Sequence, residues 1–308
     1  MLNDYALQEV KGIKKSFDNA SRQTIMDFIQ VPYFDTVVTS EWDEIFNSTE
    51  GMEGTKKLSP DETPPTMVLE NGYNVTLTPD RFGGAIQVTT TDMEKFKDST
   101  TMVDKYITKQ RDQALKTLQH QLVTQAHLML NEAFDSGSDF LAPDGVEICG
   151  NHSWATGTTF DNSATDALDQ AAVDTALEYA GDFTMSDGKP APLNFTVIVV
   201  KKGSAAAREA KRLFAFGISP TAINDINIYE GELTIIEVPY ITTANKLNWF
   251  MFDLSVEVSP LYVGINKVPT MEAPIVQNNG AIRSNVEGFW KTGVQNMPYN
   301  VYGSTGTT

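Results

Sequence analysis

Three histidines and a single cysteine are the residues from which any chemistry would have to be built. His120 and His127 stand seven apart, two turns along one helix face, and Cys149 and His152 follow. Zinc sites on one helix use histidines at i and i+4, or the Cys-x-x-Cys and His-Glu-x-x-His spacings. None of these occurs, so a metal role would rest on donor count alone, and His127, beside an apolar stripe, reads as a packing residue. Cys149 and His152 would form a nucleophile–base pair if a third group oriented the ring and an oxyanion hole lay nearby. Neither signature is visible. Asp135, Asp139 and Asp144 lack the order of a calcium loop and read as solvated carboxylates. Gly145–Gly150 has the glycine spacing of a phosphate loop, but Asn151 stands where lysine is required. Lys201–Ser204, KKGS, joins a strand to a helix whose first N–H groups could meet an anion, but a single Gly is no dinucleotide fingerprint and the segment reads as an ordinary strand-to-helix turn. No catalytic, cofactor-binding or metal-binding residue is expected.

The element that must position these residues is the stretch Ser99–Ser136, which contains neither Gly nor Pro. Apolar side chains recur through Tyr106, Ile107, Leu115, Leu118, Leu122, Ala126, Met129 and Leu130 at the one-sided period of an amphipathic helix. Thr101 and Asp104 have capping-box spacing, and Gly137 is placed to close the helix in a left-handed conformation. Such a helix is roughly 55 Å long, too long for a small sphere. Strict heptads are not sustained, so a coiled coil is not expected.

Composition bounds the rest. The 308 residues include 41% hydrophobic and 20% charged side chains, and 40 acidic against 23 basic groups leave a formal charge of −17. This is a globular composition and a poor one for clamping nucleic acid, which needs a basic footprint. One cysteine excludes an intrachain disulfide. The first residues lack the apolar core of a secretory signal, and the longest apolar runs are too short to span a bilayer.

Before the long helix, residues 1 to about 30 read as an arm lying on another surface, with Lys11, Lys14, Lys15 and Arg22 as a solvated face. Trp42 to Thr91 is acidic and β-rich. Two alternating runs, Thr66–Thr78 and Ala85–Thr91, with Pro79-Asp80 and Gly83-Gly84 as turn signals, predict a long hairpin with few core residues. After the helix comes a turn-rich stretch, then a helix over Asp166–Ala180. The strand Asn194–Lys202, the helix Ala205–Phe216 and the strands Glu232–Val238 and Trp249–Val258 suggest a small α/β unit. The last fifty residues are extended, and GSTGTT reads as a free tail.

In this order the segments resemble the major capsid proteins of tailed phages with the Hong Kong 97-type (HK97-type) fold, and within them the major head subunits of Mu-like phages. The stretches that carry the resemblance are YNVTLTPDRFGGAIQVTTTDMEKFKD, ICGNHSWATGTTFDNSATDALDQAAVDTALEYA, DGKPAPLNFTVIVVKKGSAAAREAKRLF and FWKTGVQNMPYNVYGSTG. It implies an α+β fold with an N-terminal arm (1–41), an extended loop (42–91), a peripheral domain on the spine helix (92–139 plus 261–308) and an axial domain (140–260). It implies a structural protein rather than an enzyme, needing no cofactor and no membrane, that assembles with itself as pentamers and hexamers. The product would be the icosahedral capsid of a virion, enclosing double-stranded DNA without sequence-specific binding. The hairpin is reached within about forty residues, so a separate scaffolding protein is expected, together with a portal and in some heads a decoration protein. Some relatives crosslink a loop lysine to a distant asparagine. Lys56 and Lys57 with Asn278, Asn279 and Asn285 are the residues available here, and no crosslink is expected from them. The alternatives are an encapsulin-like shell holding protein cargo, and a small hydrolase using Cys149 and His152.

Overall fold

The computed structural model describes residues 14, 17–20, 31–53, 68–95, 100–215, 227–256 and 258–307. Its central element is the spine helix α2 (Thr100–Asn131), preceded by the short helix α1 (Thr90–Lys95). Its 32 residues span about 48 Å. Ile107, Leu118, Leu122, Ala126, Met129 and Leu130 are its buried stripe. The helix stops five residues earlier than its sequence pattern suggests. Asn131 is captured by the loop at 240–245: its side chain donates to Tyr240 O at 3.1 Å and accepts from Thr242 N at 2.8 Å. Asn245 Nδ2 donates to its carbonyl, so a distant side chain satisfies one of the last orphan acceptors. Gly137 has no positive φ, and the turn is held by Asp135 Oδ1 accepting from Gly137 N. Of Thr101 and Asp104 only the backbone is described. Among the described residues, no helix is long and apolar enough to cross a membrane.

Two five-stranded sheets lie along the spine. The first is built on β11 (Leu261–Met271) and β13 (Ile282–Val294), antiparallel, with β1 (Asp35–Val38) parallel to β11 and β12 (Ile275–Val276) on β13. β4 (Asp80–Val88) closes the other edge of β13, pairing from Asp80↔Trp290 to Val88↔Ile282. Strand alternation divides the two faces. Ile282, Val286, Trp290 and Val294 join the core under the spine, with Ile86, Val88, Val263 and Ile265, and Phe82 stacks on Trp290 at 4.1 Å. Arg283, Asn285, Glu287, Phe289 and Lys291 occupy the opposite face. The described part of the arm is tied to the end of β11: Phe17 is fully buried in the main core, and Asp18 Oδ1 accepts from Met271 N at 3.0 Å.

The predicted hairpin pairs differently. β2 (Glu44–Glu53) is the partner of β3 (Val68–Leu77), and β4 leaves them to enter the sheet. Gly83-Gly84, a turn signal in sequence, lies inside β4. A Cβ at Gly83 would stand 2.8 Å from Val286 O, so glycine there serves close approach of two backbones rather than a bend.

The second sheet has the order β7 (Ser163–Ala164), β14 (Val301–Ser304), β10 (Trp249–Phe252), β8 (Val197–Lys201), β9 (Thr234–Val238). The helix α4 (Ala205–Phe214) connects the parallel pair β8 and β9. The apolar run VIVV is buried on both faces, as a continuous apolar strand should be. Val197 and Val199 meet the core of the spine, whereas Ile198 and Val200 meet α4 and the helix α3 (Gln170–Asp182). Asp169 and Ser204 cap α3 and α4 by accepting from Ala172 N and Ala207 N. The tail is not free. Residues 301–304, grouped by sequence with the peripheral segments, run between β10 and β7. Gly306, at a φ of +65°, tucks against Leu247 O.

Candidate functional site

The root of the β2/β3 ribbon sits on the open face of the first sheet, opposite the spine. Trp42 meets Phe289 at 5.3 Å and Phe46 meets Tyr262 at 4.8 Å between ring centroids. Beneath them Lys291, with 1% of its side chain exposed, places Nζ 3.3 Å from Glu44 Oε2. It also donates to Glu41 O at 3.1 Å and Trp42 O at 3.2 Å, and Tyr262 OH donates to the same carboxylate oxygen. Burial works against ionisation of Glu44, but hydrogen bonds from Thr39, Tyr262 and Lys291 outweigh it and hold the carboxyl below its usual range. Further along the ribbon, Tyr73 OH donates to Ser153 O at 3.1 Å. Around the root the surface is apolar: Trp42 is 53% and Ile45 67% exposed, and Val37 and Val38 stand out from β1, an edge strand. An exposed apolar patch beside an unpaired strand edge is what a docking partner covers.

The residues singled out for chemistry are dispersed and engaged in packing. His120 is exposed and His127 buried, and both rings pack on Tyr240, at 5.8 and 5.2 Å. His127 Nε2 accepts from Tyr33 OH at 2.9 Å while Nδ1 donates to Val123 O at 2.7 Å. Burial pushes its pKa down to about 4, against the pull of the Val123 bond, so the ring is neutral at pH 7. Together these groups line an open groove of about 680 Å³ between the spine and the 236–240 segment. Cys149 is buried and its thiol is pushed up by that burial, which removes the thiolate a nucleophile needs.

His152 forms a pair of another kind. Its Nδ1 lies 3.0 Å from Asp144 Oδ2, both side chains are almost fully buried, and Nε2 lies 3.2 Å from Ile148 O. The same carboxylate accepts from Ser153 N and Val146 N. Burial opposes ionisation of Asp144, yet these bonds prevail and its pKa is lowered. Asp144 is thus a buried loop staple, not the solvated residue its neighbours suggest; Asp135 and Asp139 are exposed. Asn162, also buried, accepts from Gly150 N and donates to Ile148, Pro298 and Val301 carbonyls. The Gly145–Gly150 segment is therefore a turn fastened from within. At KKGS, Gly203 N already donates to Glu237, so an internal carboxylate fills the anion position. Lys56 and Lys57 lie outside the described residues, and Asn285 is engaged with Glu272 and Arg283.

Sequence reasoning missed Lys291, Asp144 and Asn162. In FWKTG the alternation gives Lys291 an outward position, and nothing local reports that the ribbon root covers that face. Asp144 and Asn162 are made structural by partners in other loops.

No family model matches the chain, and no curated protein matches it. Similar solved structures exist at low identity. The head structure of Helicobacter pylori bacteriophage KHP40 is 10% identical, with a TM-score of 0.56 over 88% of this chain and 86% of that one. A structure from Mycobacterium phage Patience is 12% identical, with a TM-score of 0.53 over 97% and 87%. A virus-like particle from Pyrococcus furiosus is 8% identical, at 0.49 over 94% and 98%. The chain has the mixed α+β fold of phage capsid subunits, the HK97-type architecture, here built from a ribbon, a spine helix and two five-stranded sheets.

Proposed function

We propose that this chain is the major capsid protein of a tailed phage, a structural subunit that assembles with itself into the closed shell of the head. The observation that carries the reading is the fold, shared over most of its length with a structure solved as a phage head. The exposed apolar root of the ribbon supports it, because such a surface calls for a neighbouring copy. Subunits joined by surfaces that close on rotation form rings and then a shell, here pentamers and hexamers around double-stranded DNA. In this reading residues 1–41 are the arm and 42–91 the extended loop. Residues 92–139 with 261–308 form the peripheral part and 140–260 the axial part, with 301–304 contributing a strand to the axial sheet. The four stretches quoted above favour the Mu-like heads within this class. A separate scaffolding protein, a portal and a decoration protein would be the other components. The test is direct. The chain is expressed with and without the candidate scaffolding protein and inspected by size-exclusion chromatography and negative-stain microscopy. Closed particles of uniform diameter are expected; a population of monomers alone would refute the proposal. Nucleic acid inside particles from infected cells separates a phage head from a shell holding protein cargo.

A further inference from the structure

The charge of the chain is unevenly placed. Between Lys105 and Asn131 it has Lys105, Lys109, Arg111 and Lys116 against Asp112 alone, in a protein of formal charge −17. Arg111 Nη2 pairs with Asp112 at 2.5 Å. Lys105, Lys109 and Lys116 are exposed, and none forms an ion pair with another described residue. At 3.6 residues per turn the three fall within about 40° of arc and extend over about 16 Å of axis. They form a straight row on the side of the spine away from its buried stripe, Ile107, Leu118 and Leu122.

The row also has a definite place in the layers. The spine covers one face of the first sheet, and the ribbon root covers the other. On the ribbon side three cations are paired with carboxylates, Arg81 and Lys267 both holding Glu287 and Lys291 holding Glu44, while Arg283 donates to the Asn285 amide. The two broad faces of the subunit therefore differ among the described residues, one carrying a ribbon root over mostly paired cations, the other a row of ammonium groups with no described ion-pair partner.

Resting on the shell reading above, we infer that the lysine row of the spine helix is the surface that meets the enclosed nucleic acid, gripping phosphates without reading bases. Lysine suits this role as a mobile point charge for phosphate. Three contacts per subunit would be weak alone, with a salt slope near −2.7 in log–log terms. Repeated over a shell they would hold the outer layer of DNA, while the acidic remainder of the chain keeps the grip from becoming general.

Acylation footprinting of intact particles tests this. DNA-filled particles and the same particles emptied of DNA are treated with a small lysine-reactive ester, and each lysine is read by mass spectrometry. Lys105, Lys109 and Lys116 should be protected several-fold in filled particles at low salt, with protection lost as salt rises, while Lys267 on the opposite face is unchanged. Equal reactivity of the row in filled and emptied particles would overturn the inference. Protection confined to DNA-free precursors containing an internal protein would also overturn it, giving the surface to an acidic protein instead. Absence of particles by microscopy would sink the shell reading itself, a separate and earlier failure.

Discussion

Lys291 and Glu44 form a buried ion pair, Nζ to Oε2 at 3.3 Å, that joins the middle of the first sheet to the base of the β2/β3 ribbon. It fastens the ribbon root to the sheet beside the Trp42–Phe289 and Phe46–Tyr262 contacts. Truncating one partner of a buried pair leaves the other charge uncompensated, which typically costs about 3–5 kcal/mol. Lys291→Met should therefore lower the urea midpoint and make the ribbon root, residues 42–47 and 74–79, the first site of limited proteolysis. A variant as resistant to protease as the parent would show that the aromatic contacts of Trp42 and Phe46 hold the root unaided.

Acid should weaken the fold through His127. Its folded pKa of about 4 lies below the ordinary 6.5, so the folded state binds the proton less readily than the unfolded chain. The stability it contributes is complete above pH 6.5 and is lost as the pH falls toward 4, about 3 kcal/mol in all. Asp144, also lowered, has the same sign but acts later, below the usual carboxylate range. Urea titrations of the parent and of His127→Gln at pH 7 and pH 4.5 should show a smaller loss in the variant; identical losses would clear His127 of the effect.

A proline in the spine should abolish assembly. Leu118 is buried in the continuous core between the sheets, and Leu118→Pro removes a helix bond and kinks the rod at a cost of about 3 kcal/mol or more. Circular dichroism would register the lost helix, and microscopy the missing particles. Particles of normal diameter from this variant would mean that the spine's rigidity is not what sets subunit geometry.

The last strand should be indispensable to the second sheet. Ending the chain at residue 298 removes β14 from between β7 and β10 and exposes edges that were paired. It also uncovers the packing of Tyr302 on Trp249 and Tyr179. Aggregated or unfolded product is expected on size-exclusion chromatography, whereas a free tail could be removed without effect.

Removing the Asn162 side chain should cost about 2–4 kcal/mol, because it leaves the Gly150 N–H and several buried carbonyls without a partner. Thermal unfolding of Asn162→Ala would measure it; a shift within error would imply that water replaces the amide.

The sequence by itself determined the elements whose signal is local. The 3.6-residue period of residues 102–130 specified the spine, the run VIVV a strand buried on both sides, and Gly203-Ser204 the start of the helix after it, whereas the helix expected from Asp166 begins at Gln170, capped by Asp169. Those signals arise because apolar periodicity and capping depend on residues within a few positions of each other. The tertiary structure decided what depends on distant partners. Asn131 ends the spine because Thr242 and Asn245 reach it, and Gly83 lies in a strand because β13 approaches it. Residues 301–304 are a strand because β10 and β7 offer them edges. The functional surfaces divide in the same way. The lysine row could be counted in the sequence, but only the fold showed that it lies on the far side from the ribbon root. Lys291 is buried because a ribbon from elsewhere in the chain closes over it.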